Sequence, residues 1–274
     1  MVLPGHNLSV PELVSKAHHQ ESSMAYTYEY PKADITVDCV LFGFNPEGPT
    51  FDGTVGQREL HRGRLEVVLI RRGEDPYQGR WALPGGFIEF LKGETAYEAA
   101  RREMQEETGV TVDYLEQLGT FDAPDRDPRG RVFSVAHYAL VRSQDHTTTS
   151  GSDAMEAKWV PVQDALRIPA SQMAFDHKLI LRTAVERLQT KVRYNPLGFD
   201  LLPKKFTLGQ LQKLYEAILF RELDKRNFRK RILAMGVLTD LESSTTTRGR
   251  PAALYRFNKQ AYDQAVKTGF NFKI

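Results

Sequence analysis

A pair of glycines followed by an acidic helix constrains this chain more than any other feature of its 274 residues. Gly85 and Gly86 follow a β-rich segment and precede a run with helical character. That run carries one arginine and three glutamates at helical spacing, namely Arg102, Glu103, Glu106 and Glu107. At about 100° per residue, the three glutamates fall within a sector of roughly 100° on one face of a helix. The segment therefore predicts a concentrated acidic face next to a tight glycine turn.

Carboxylates this close together favour a bound cation. Three of them repel one another strongly unless positive charge lies among them. Divalent cations such as Mg²⁺ or Mn²⁺ prefer oxygen ligands and usually bring phosphate groups with them. Arg102 precedes Glu106 by four residues and can brace that carboxylate, and glycine lets the backbone of the turn approach a metal ion or phosphate. Taken alone, the same residues are more typical of a solvated acidic face that balances Arg101 and Arg102.

The order of these residues resembles the signature of the Nudix hydrolases. The matching residues are Glu94, seven further residues, and then Arg102-Glu103-Met104-Gln105-Glu106-Glu107-Thr108-Gly109-Val110. The resemblance implies an α/β fold, the Nudix α/β/α sandwich, and Mg²⁺-assisted cleavage of a nucleoside diphosphate linked to another group. By position, Glu103 and Glu107 are the expected leading metal ligands, and Glu106 is a further ligand or the base. Arg102 belongs to the same expected catalytic group.

The loop before the helix departs from the family pattern. Seven residues, 87–93, separate Gly86 from Glu94, two more than the family pattern has. Gly86 is expected to join the metal site, and Glu94 is expected as a supporting carboxylate near the ligand. A misplacement of the attacking water by about 1 Å can cost about a hundredfold in rate. The sequence therefore predicts ligand binding more firmly than hydrolysis.

Strands and helices alternate in the first part of the chain, which predicts an α/β layered domain over residues 33–190. The predicted strands are residues 35–42, 65–71, 132–141 and 158–160, the predicted turn is 81–87, the predicted hairpin loop is 45–63, and the predicted helices are 94–108 and 175–188. Residues 1–32 are polar and lack a sustained period, so a disordered lead-in is expected there.

A second polar segment indicates the ligand. Phe121-Asp122-Ala123-Pro124-Asp125-Arg126-Asp127-Pro128-Arg129-Gly130-Arg131-Val132 offers arginines for phosphate and an aspartate for ribose hydroxyls. It resembles the corresponding stretch of ADP-ribose pyrophosphatases and of Nudix domains attached to NAD-pathway proteins, so ADP-ribose or a related NAD-derived ligand is expected. The expected ligand-binding residues are Arg71, Arg72, Trp81, Phe87, Glu94, Asp122, Arg129 and Arg131. By residue type alone, the segment also fits a solvated hairpin, and Trp81 and Phe87 also fit core aromatics.

Charge is distributed unevenly along the chain. From Asn195 to the C-terminus there are 15 basic and 7 acidic residues, whereas residues 1–194 contain 22 basic and 28 acidic residues and all seven histidines. A fold does not require this separation, so two modules with different partners are predicted, and the basic one suits a polyanion. A linker at 191–205, rich in proline and glycine, is predicted before a second module at 206–274.

The second module follows the order of a winged helix-turn-helix: helix, short turn, basic helix and hairpin. Thr207 and Asp224 are the expected N-caps of the two helices, and a hairpin is predicted over 237–241 and 254–257. Phe228, Ile232 and Met235 are expected to face the core of the module. The expected DNA-binding residues are Lys225, Arg226, Asn227, Arg229 and Lys230 on the opposite face, and Arg248 and Arg250 at the hairpin tip. By itself, the helix is also typical of an ordinary basic surface helix.

The basic module resembles the C-terminal domain of Nudix-related transcriptional regulators of NAD metabolism. The matching segments are Leu214-Tyr215-Glu216-Ala217-Ile218-Leu219, Leu223-Asp224-Lys225-Arg226-Asn227-Phe228-Arg229 and Gly249-Arg250-Pro251-Ala252, and Ala174-Phe175-Asp176-His177 in the predicted closing helix is similar to the same family. The resemblance implies a homodimeric repressor that binds a palindromic double-stranded DNA operator and senses ADP-ribose. His177 is expected to be a hydrogen-bonded helix residue rather than a catalytic one.

Two other functions stay open. One is a working ADP-ribose pyrophosphatase whose basic domain only dimerises or localises it, since the signature residues are all retained. The other is an RNA-directed Nudix protein, which rests only on positive charge. Winged-helix spacing favours duplex DNA, because sequence-specific RNA readers usually offer aromatic stacking platforms.

Composition excludes several classes. No run of 18 apolar residues exists, so neither a membrane span nor a membrane partner is predicted, and the N-terminus lacks the pattern of a secretory signal. The single cysteine, Cys39, cannot form an internal disulfide, and no Cys/His cluster has zinc-site spacing. A cytoplasmic protein is therefore expected.

Overall fold

The computed structural model describes residues 29–46, 63–112, 115–146, 148, 154–196, 198–241 and 253–267. The chain divides into the units Met1–Lys32 and Ala33–Ile274, and every element below belongs to the second unit. Residues 1–28 of the predicted lead-in and residues 47–62 of the predicted hairpin loop lie outside the described residues. The bounds of the lead-in, the two domains and the linker stay predictions.

Strand β1 (Asp34–Asn45) lies at the centre of the main sheet and is buried on both faces. Successive side chains of a strand point to opposite faces of its sheet. Val40 and Phe42 accordingly belong to one core cluster, and Cys39 and Leu41 belong to the other. The near-continuous apolar run in the sequence is what such a doubly covered strand requires.

Seven strands of the described chain form one mixed sheet. They are β1, β2 (Arg64–Arg72), β3 (Trp81–Ala82), β4 (Gly85–Phe87), β5 (Leu115–Phe121), β6 (Val132–Val141) and β7 (Ala154–Pro161). The strand order is β3-β2-β1-β6-β5, with β4 also paired to β1 and β7 also paired to β2. β6 runs parallel to β1, with Ala136 opposite Asp38, whereas β2 runs antiparallel to β1, with Val67 opposite Phe42.

Helices cover both faces of this sheet. Helix α1 (Ala96–Thr108) packs Ala100 and Met104 against the face that carries Cys39. Helices α2 (Val162–Arg167) and α3 (His177–Lys191) pack against the opposite face, where Leu181 joins the cluster of Phe42. The predicted α/β/α layering is confirmed.

Several element bounds differ from those predicted. The sequence did not predict β5 or α2, and the predicted turn at 81–87 contains β3 and β4. The helix predicted from residue 94 begins at Ala96, because the Thr95 hydroxyl accepts the Glu98 N–H while the Glu98 carboxylate accepts the Thr95 N–H. The helix predicted from residue 175 begins at His177, because Phe175 adopts a left-handed backbone with φ of 48°.

The C-terminal elements follow the predicted winged-helix order. They are β8 (Phe206–Thr207), α4 (Leu208–Leu219), α5 (Lys225–Ala234), β9 (Leu238–Asp240), β10 (Leu254–Phe257) and α6 (Lys259–Lys267). Both predicted caps are confirmed: Thr207 Oγ1 accepts the Gln210 N–H, and Asp224 Oδ1 accepts the Asn227 N–H at 2.8 Å. The strand β8, which completes a β8-β10-β9 sheet, and the helix α6 were not predicted.

One hydrophobic cluster continues from the main sheet into the winged helix. It contains Phe42 of β1, Leu181 of α3, Leu214 and Tyr215 of α4, and Phe228 of α5. Helix α3 is thus shared, with one side on the sheet and the other on α4. The C-terminal module is therefore packed onto the first domain through a common core.

The segment predicted as a linker contributes to this core. Phe199, Leu201 and Leu202 are buried, and the Phe199 ring stacks on Phe257 with centroids 4.3 Å apart.

Within the described part of the chain, no helix combines the length and the apolar character that crossing a bilayer requires.

The Tyr215 hydroxyl offers a test of packing in the shared core. It is buried, and no described residue hydrogen-bonds to it; burial raises the pKa of Tyr215 well above its usual value. We expect Tyr215→Phe to raise the free energy of unfolding by about 1 kcal/mol, because an unsatisfied polar group leaves the core, while the ring contact with Phe228 at 5.6 Å is kept. Urea denaturation followed by circular dichroism measures the change, with the exposed Tyr194→Phe as control. A loss of stability in Tyr215→Phe would contradict this.

Candidate functional site

The glycine turn lies directly against α1. The Gly85 N–H donates to Glu107 Oε2 at 2.8 Å. A Cβ atom added at Gly86 would lie 2.2 Å from Glu103 Oε1, so only glycine allows that carboxylate to rest against the turn. The two glutamates predicted as leading metal ligands therefore face two consecutive glycines.

Arg102 holds together most of the acidic group. Its Nε and Nη2 donate to the two Glu94 oxygens at 2.7 and 3.0 Å, and its Nη1 donates to Glu103 at 2.7 Å and to Glu106 at 3.1 Å. The hydrogen bonds from Arg102 lower the pKa of Glu94, whereas burial raises the pKa of Glu103. The predicted bracing of Glu106 by Arg102 is confirmed, and it extends to Glu94 and Glu103.

The two extra residues of the 87–93 loop are accommodated locally. The loop contains a single 3₁₀ turn over Phe90–Lys92, which Gly93 ends in a left-handed conformation with φ of 72°. The chain then returns, so that Glu94 Oε2 accepts the Glu89 N–H at 2.8 Å. The insertion is thus compatible with the Arg102–Glu94 pair.

Two predicted ligand-binding arginines lie over the ring of Phe175, which was not among the predicted ligand-binding residues. The guanidinium carbons of Arg72 and Arg129 lie 5.1 and 5.6 Å from the ring centroid of Phe175, and Arg129 also lies 4.9 Å from that of Phe87. The buried Asp127 carboxylate accepts from Arg129 at 2.7 and 3.0 Å. Burial, and then proximity to Arg129, lowers the pKa of Arg72. Two like charges brought this close favour the binding of an anion between or beside them.

The other predicted ligand-binding residues form separate groups. Arg71 lies over Trp81, with the guanidinium carbon 4.8 Å from the ring centroid. Arg131 Nη1 donates to the Asp122 carbonyl at 2.6 Å, and its guanidinium lies over Phe133. The roles of these residues in ligand binding stay predictions.

A buried polar network lies behind the glycine turn. Asp38 Oδ2 accepts from Arg126 Nη2 at 3.0 Å and from Ser134 Oγ at 2.5 Å, and Asp38 Oδ1 lies 3.1 Å from His177 Nε2. Arg126 also donates to both oxygens of Asp176, at 2.7 and 3.1 Å. Burial by itself raises the pKa of Asp38, but the contacts with His177, Arg126 and Ser134 outweigh it and hold the pKa well below its usual range. An acidic residue inside an otherwise apolar strand was the signal that could have revealed this network.

His177 joins the network to the glycine turn. The Leu83 N–H donates to His177 Nδ1 at 2.8 Å, so Nδ1 carries no proton there and the Nε2–H faces Asp38. The prediction of a hydrogen-bonded His177 is confirmed, although the residue is the first of α3 rather than an interior one.

Helix α5 has the two predicted faces. Phe228 and Ile232 are buried, and Met235 just beyond the helix is partly buried. The predicted DNA-binding residues of the helix are all exposed, namely Lys225, Arg226, Asn227, Arg229 and Lys230. The predicted tip residues Arg248 and Arg250 lie outside the described residues.

Comparisons with known proteins identify both modules. The family described as NUDIX domain matches residues 54–183, and the family described as NrtR DNA-binding winged helix domain matches residues 198–257. The chain is 34% identical over 256 residues to the ADPR responsive transcriptional repressor NtrR of Acinetobacter baylyi, and the alignment covers 92% of each protein. The fold and the site thus define a protein with a Nudix domain joined to a winged helix domain of the DNA-binding kind.

Two further similarities were found, one over most of the chain and one over less than half of it. The crystal structure of Shewanella oneidensis NrtR complexed with a 27mer DNA superposes with a TM-score of 0.66 and 32% identity, covering 87% of this chain and 97% of that one. The ADP-ribose pyrophosphatase of Methanocaldococcus jannaschii is 40% identical over 117 residues, 43% of this chain and 64% of that protein. The chain belongs to the NrtR family.

The chemistry of the acidic face fits a divalent metal ion, which Nudix hydrolases generally use. Glu103 and Glu107 place carboxylates beside the backbone of the glycine turn, and hard cations prefer such oxygen ligands. Arg102 donates to Glu103 Oε1 and the Gly85 N–H donates to Glu107 Oε2, and no group of three or more Asp, Glu, His or Cys side chains among the described residues is spaced to hold a metal ion. Binding of an ion by three carboxylates therefore requires these side chains to rearrange.

Gly86→Ala tests this site. Because the added Cβ would collide with the Glu103 carboxylate, we expect the variant to lose most of the stabilisation that Mn²⁺ gives the wild type, which is about 2.7 kcal/mol at a hundredfold excess over Kd. Thermal denaturation with and without Mn²⁺ measures the effect. Gly119→Ala is the matched control, since a Cβ there meets no described atom within 4 Å. Equal Mn²⁺ shifts in both variants would show that Glu103 does not bind the ion at this turn.

Proposed function

We propose that this protein is an ADP-ribose-responsive, DNA-binding transcriptional repressor of NAD-metabolism genes. The observation that carries the proposal is a phosphate-type ligand site and a basic recognition helix packed onto one hydrophobic core. A relative that aligns over 92% of the chain is an ADPR responsive transcriptional repressor, which supports the same function.

The ligand site suits the diphosphate of ADP-ribose. Arg72 and Arg129 offer guanidinium groups for phosphate oxygens beside the glycine turn, and Phe87 and Phe175 offer rings within reach of the same groups. Glu103 and Glu107, with Glu106 and the Gly86 backbone, would hold Mg²⁺ or Mn²⁺. When bound, that ion neutralises phosphate charge, while Arg102 holds Glu94 and Glu106 in place.

The DNA site is the exposed face of α5. A helix of this kind places its exposed side chains in the major groove, where arginine reads guanine and lysine contacts phosphates. Asp224 caps its N-terminus, and Phe228 and Ile232 hold its other face in the core. Arg248 and Arg250 would add contacts from the hairpin tip. A homodimer would place two such helices on a palindromic operator.

The ligand changes the affinity for DNA by changing the relative positions of the two winged helices. Since the winged helix shares its core with the Nudix domain, it is expected to move together with that domain. Ligand binding would therefore change the spacing of the two winged helices within the homodimer. Such coupling is reciprocal: DNA must change the affinity for ADP-ribose by the same factor as ADP-ribose changes the affinity for DNA.

Fluorescence anisotropy on duplex DNA from the region upstream of the gene tests this function. We expect tight, sequence-dependent binding that ADP-ribose with Mg²⁺ alters, and the same factor when ADP-ribose affinity is titrated with and without operator. Lys230→Ala is expected to weaken binding to all duplexes and to lower the slope against log salt by about one. Arg182→Ala is the control, because it removes an exposed charge from α3 instead.

Salt must be held constant and non-specific competitor added, because a basic protein binds any duplex at low salt. Binding indifferent to both sequence and ADP-ribose would overturn the repressor function.

A second candidate function is Mg²⁺-dependent hydrolysis of ADP-ribose to AMP and ribose 5-phosphate. It is favoured by the retained Arg102–Glu94 pair and by the positions of Glu103 and Glu107 against the glycine turn. Steady AMP release with Mg²⁺, abolished by Glu107→Gln, is the expected result if the enzyme is active. No turnover at micromolar protein would remove this candidate and leave ADP-ribose as a signal only.

A further inference from the structure

We propose that Phe175, Asp176 and His177, here called the 175–177 segment, are positioning residues through which ligand occupancy reaches α3 and the winged helix. The inference rests on the proposed function, because it assigns the path by which ADP-ribose changes DNA affinity. It goes beyond that function in naming residues outside the acidic face and outside α5.

Each residue of the segment contacts a different part of the ligand site. The Phe175 ring lies under Arg72 at the end of β2 and also under Arg129. The Asp176 carboxylate accepts two hydrogen bonds from Arg126, which belongs to the same loop as Arg129. His177 accepts the Leu83 N–H, two residues before the glycine turn. Three parts of the ligand site, namely the end of β2, the 122–131 loop and the segment before the glycine turn, therefore contact three consecutive residues.

The backbone of the segment is held in an uncommon conformation. Phe175 has a φ of 48°, and Tyr77, whose φ is 69°, packs edge-on against its ring with centroids 5.0 Å apart. A bulky aromatic residue in the left-handed region persists only where its surroundings hold it there. A ligand that moves Arg72 or Arg129 removes part of that support, so the segment is placed to respond to occupancy.

The ion pair between Asp176 of the segment and Arg126 of the 122–131 loop resists independent movement of the two side chains. The Arg126 side chain is 3% exposed, and its carboxylate partners Asp38 and Asp176 are 7% and 16% exposed. Separating a buried, doubly hydrogen-bonded pair leaves an uncompensated charge in the core. A shift of the 122–131 loop is therefore expected to carry Asp176 along with it.

The segment leads directly into the helix that the two domains share. His177 is the first residue of α3, and further along the same helix the Gln189 side chain donates to the Ile218 carbonyl of α4 at 3.0 Å. Between these ends, Leu181 packs in the cluster that also holds Tyr215. A packed helix transmits a displacement of one end to its neighbours because the core around it is dense. Movement of the 175–177 segment would thus reach α4 and, through it, the recognition helix.

Asp176→Asn is the variant that tests this path. The quantity measured is the coupling factor, the ratio of operator Kd with and without ligand, using α,β-methylene ADP-ribose so that hydrolysis cannot consume it. We expect the factor to move towards one by about three- to tenfold, a size typical of residues that carry coupling without touching either ligand. Operator Kd without ligand should stay within about twofold of wild type. Glu186→Gln is the matched control, an equal charge change on the exposed side of α3.

A second variant keeps the test decisive if Asp176→Asn is unstable. Arg126→Lys is that variant: it keeps a positive charge beside the buried Asp38 carboxylate, but it removes the paired hydrogen bonds from the guanidinium to the two Asp176 oxygens. If the Arg126–Asp176 pair carries the coupling, Arg126→Lys moves the coupling factor in the same direction as Asp176→Asn.

The outcomes separate the inference from the function on which it rests. If the wild-type protein shows no coupling between ligand binding and operator binding, both the proposed function and this inference are wrong. A wild-type factor that both variants retain overturns the inference alone. If the segment is merely structural, the variants lower the melting temperature and leave the coupling factor of the folded protein unchanged.

Discussion

The buried carboxylate of Asp38 is the constraint on which the rest of the site depends. A charge in the middle of a doubly covered strand is tolerated only with partners, and here these are Arg126, Ser134 and His177. Those partners come from a loop, from the neighbouring strand β6 and from the start of α3. Satisfying one charge therefore fixes the positions of several segments that surround the glycine turn.

Helix α3 connects that constraint to the second domain. It begins at the Asp38 network and then packs on both the sheet and α4, so that both domains contribute side chains to one hydrophobic cluster. A flexible tether would let each domain bind its own partner without affecting the other. A shared core instead makes the position of the recognition helix depend on the Nudix domain, which is what a ligand-responsive regulator requires.

The acidic face shows how binding and hydrolysis separate in this protein. Arg102 donates hydrogen bonds to Glu94, Glu103 and Glu106, and its positive charge offsets part of the repulsion among the three carboxylates. The longer 87–93 loop preserves that arrangement by folding back through the Glu89 N–H. These contacts organise a ligand site, whereas turnover also requires a water molecule to be placed with high accuracy. The retained signature residues therefore indicate ligand binding more strongly than they indicate hydrolytic turnover.

Local patterns in the sequence determined the layered fold, the glycine turn, the acidic face of α1, both caps of the winged helix and the two faces of α5. Each of these features depends on residues within one or two helical turns of one another or on the alternation of side chains along a strand, and both can be recognised from residue spacing in the sequence. Only the tertiary structure decided that Phe175 meets Arg72 and Arg129, that Arg126 pairs with Asp38 and Asp176, and that α3 is shared by both domains. Asp38 and Arg126 are separated by 88 positions. Their partnership follows from how strands are ordered in the sheet, which no local spacing encodes, because pairing over such distances is set by the burial of the whole core.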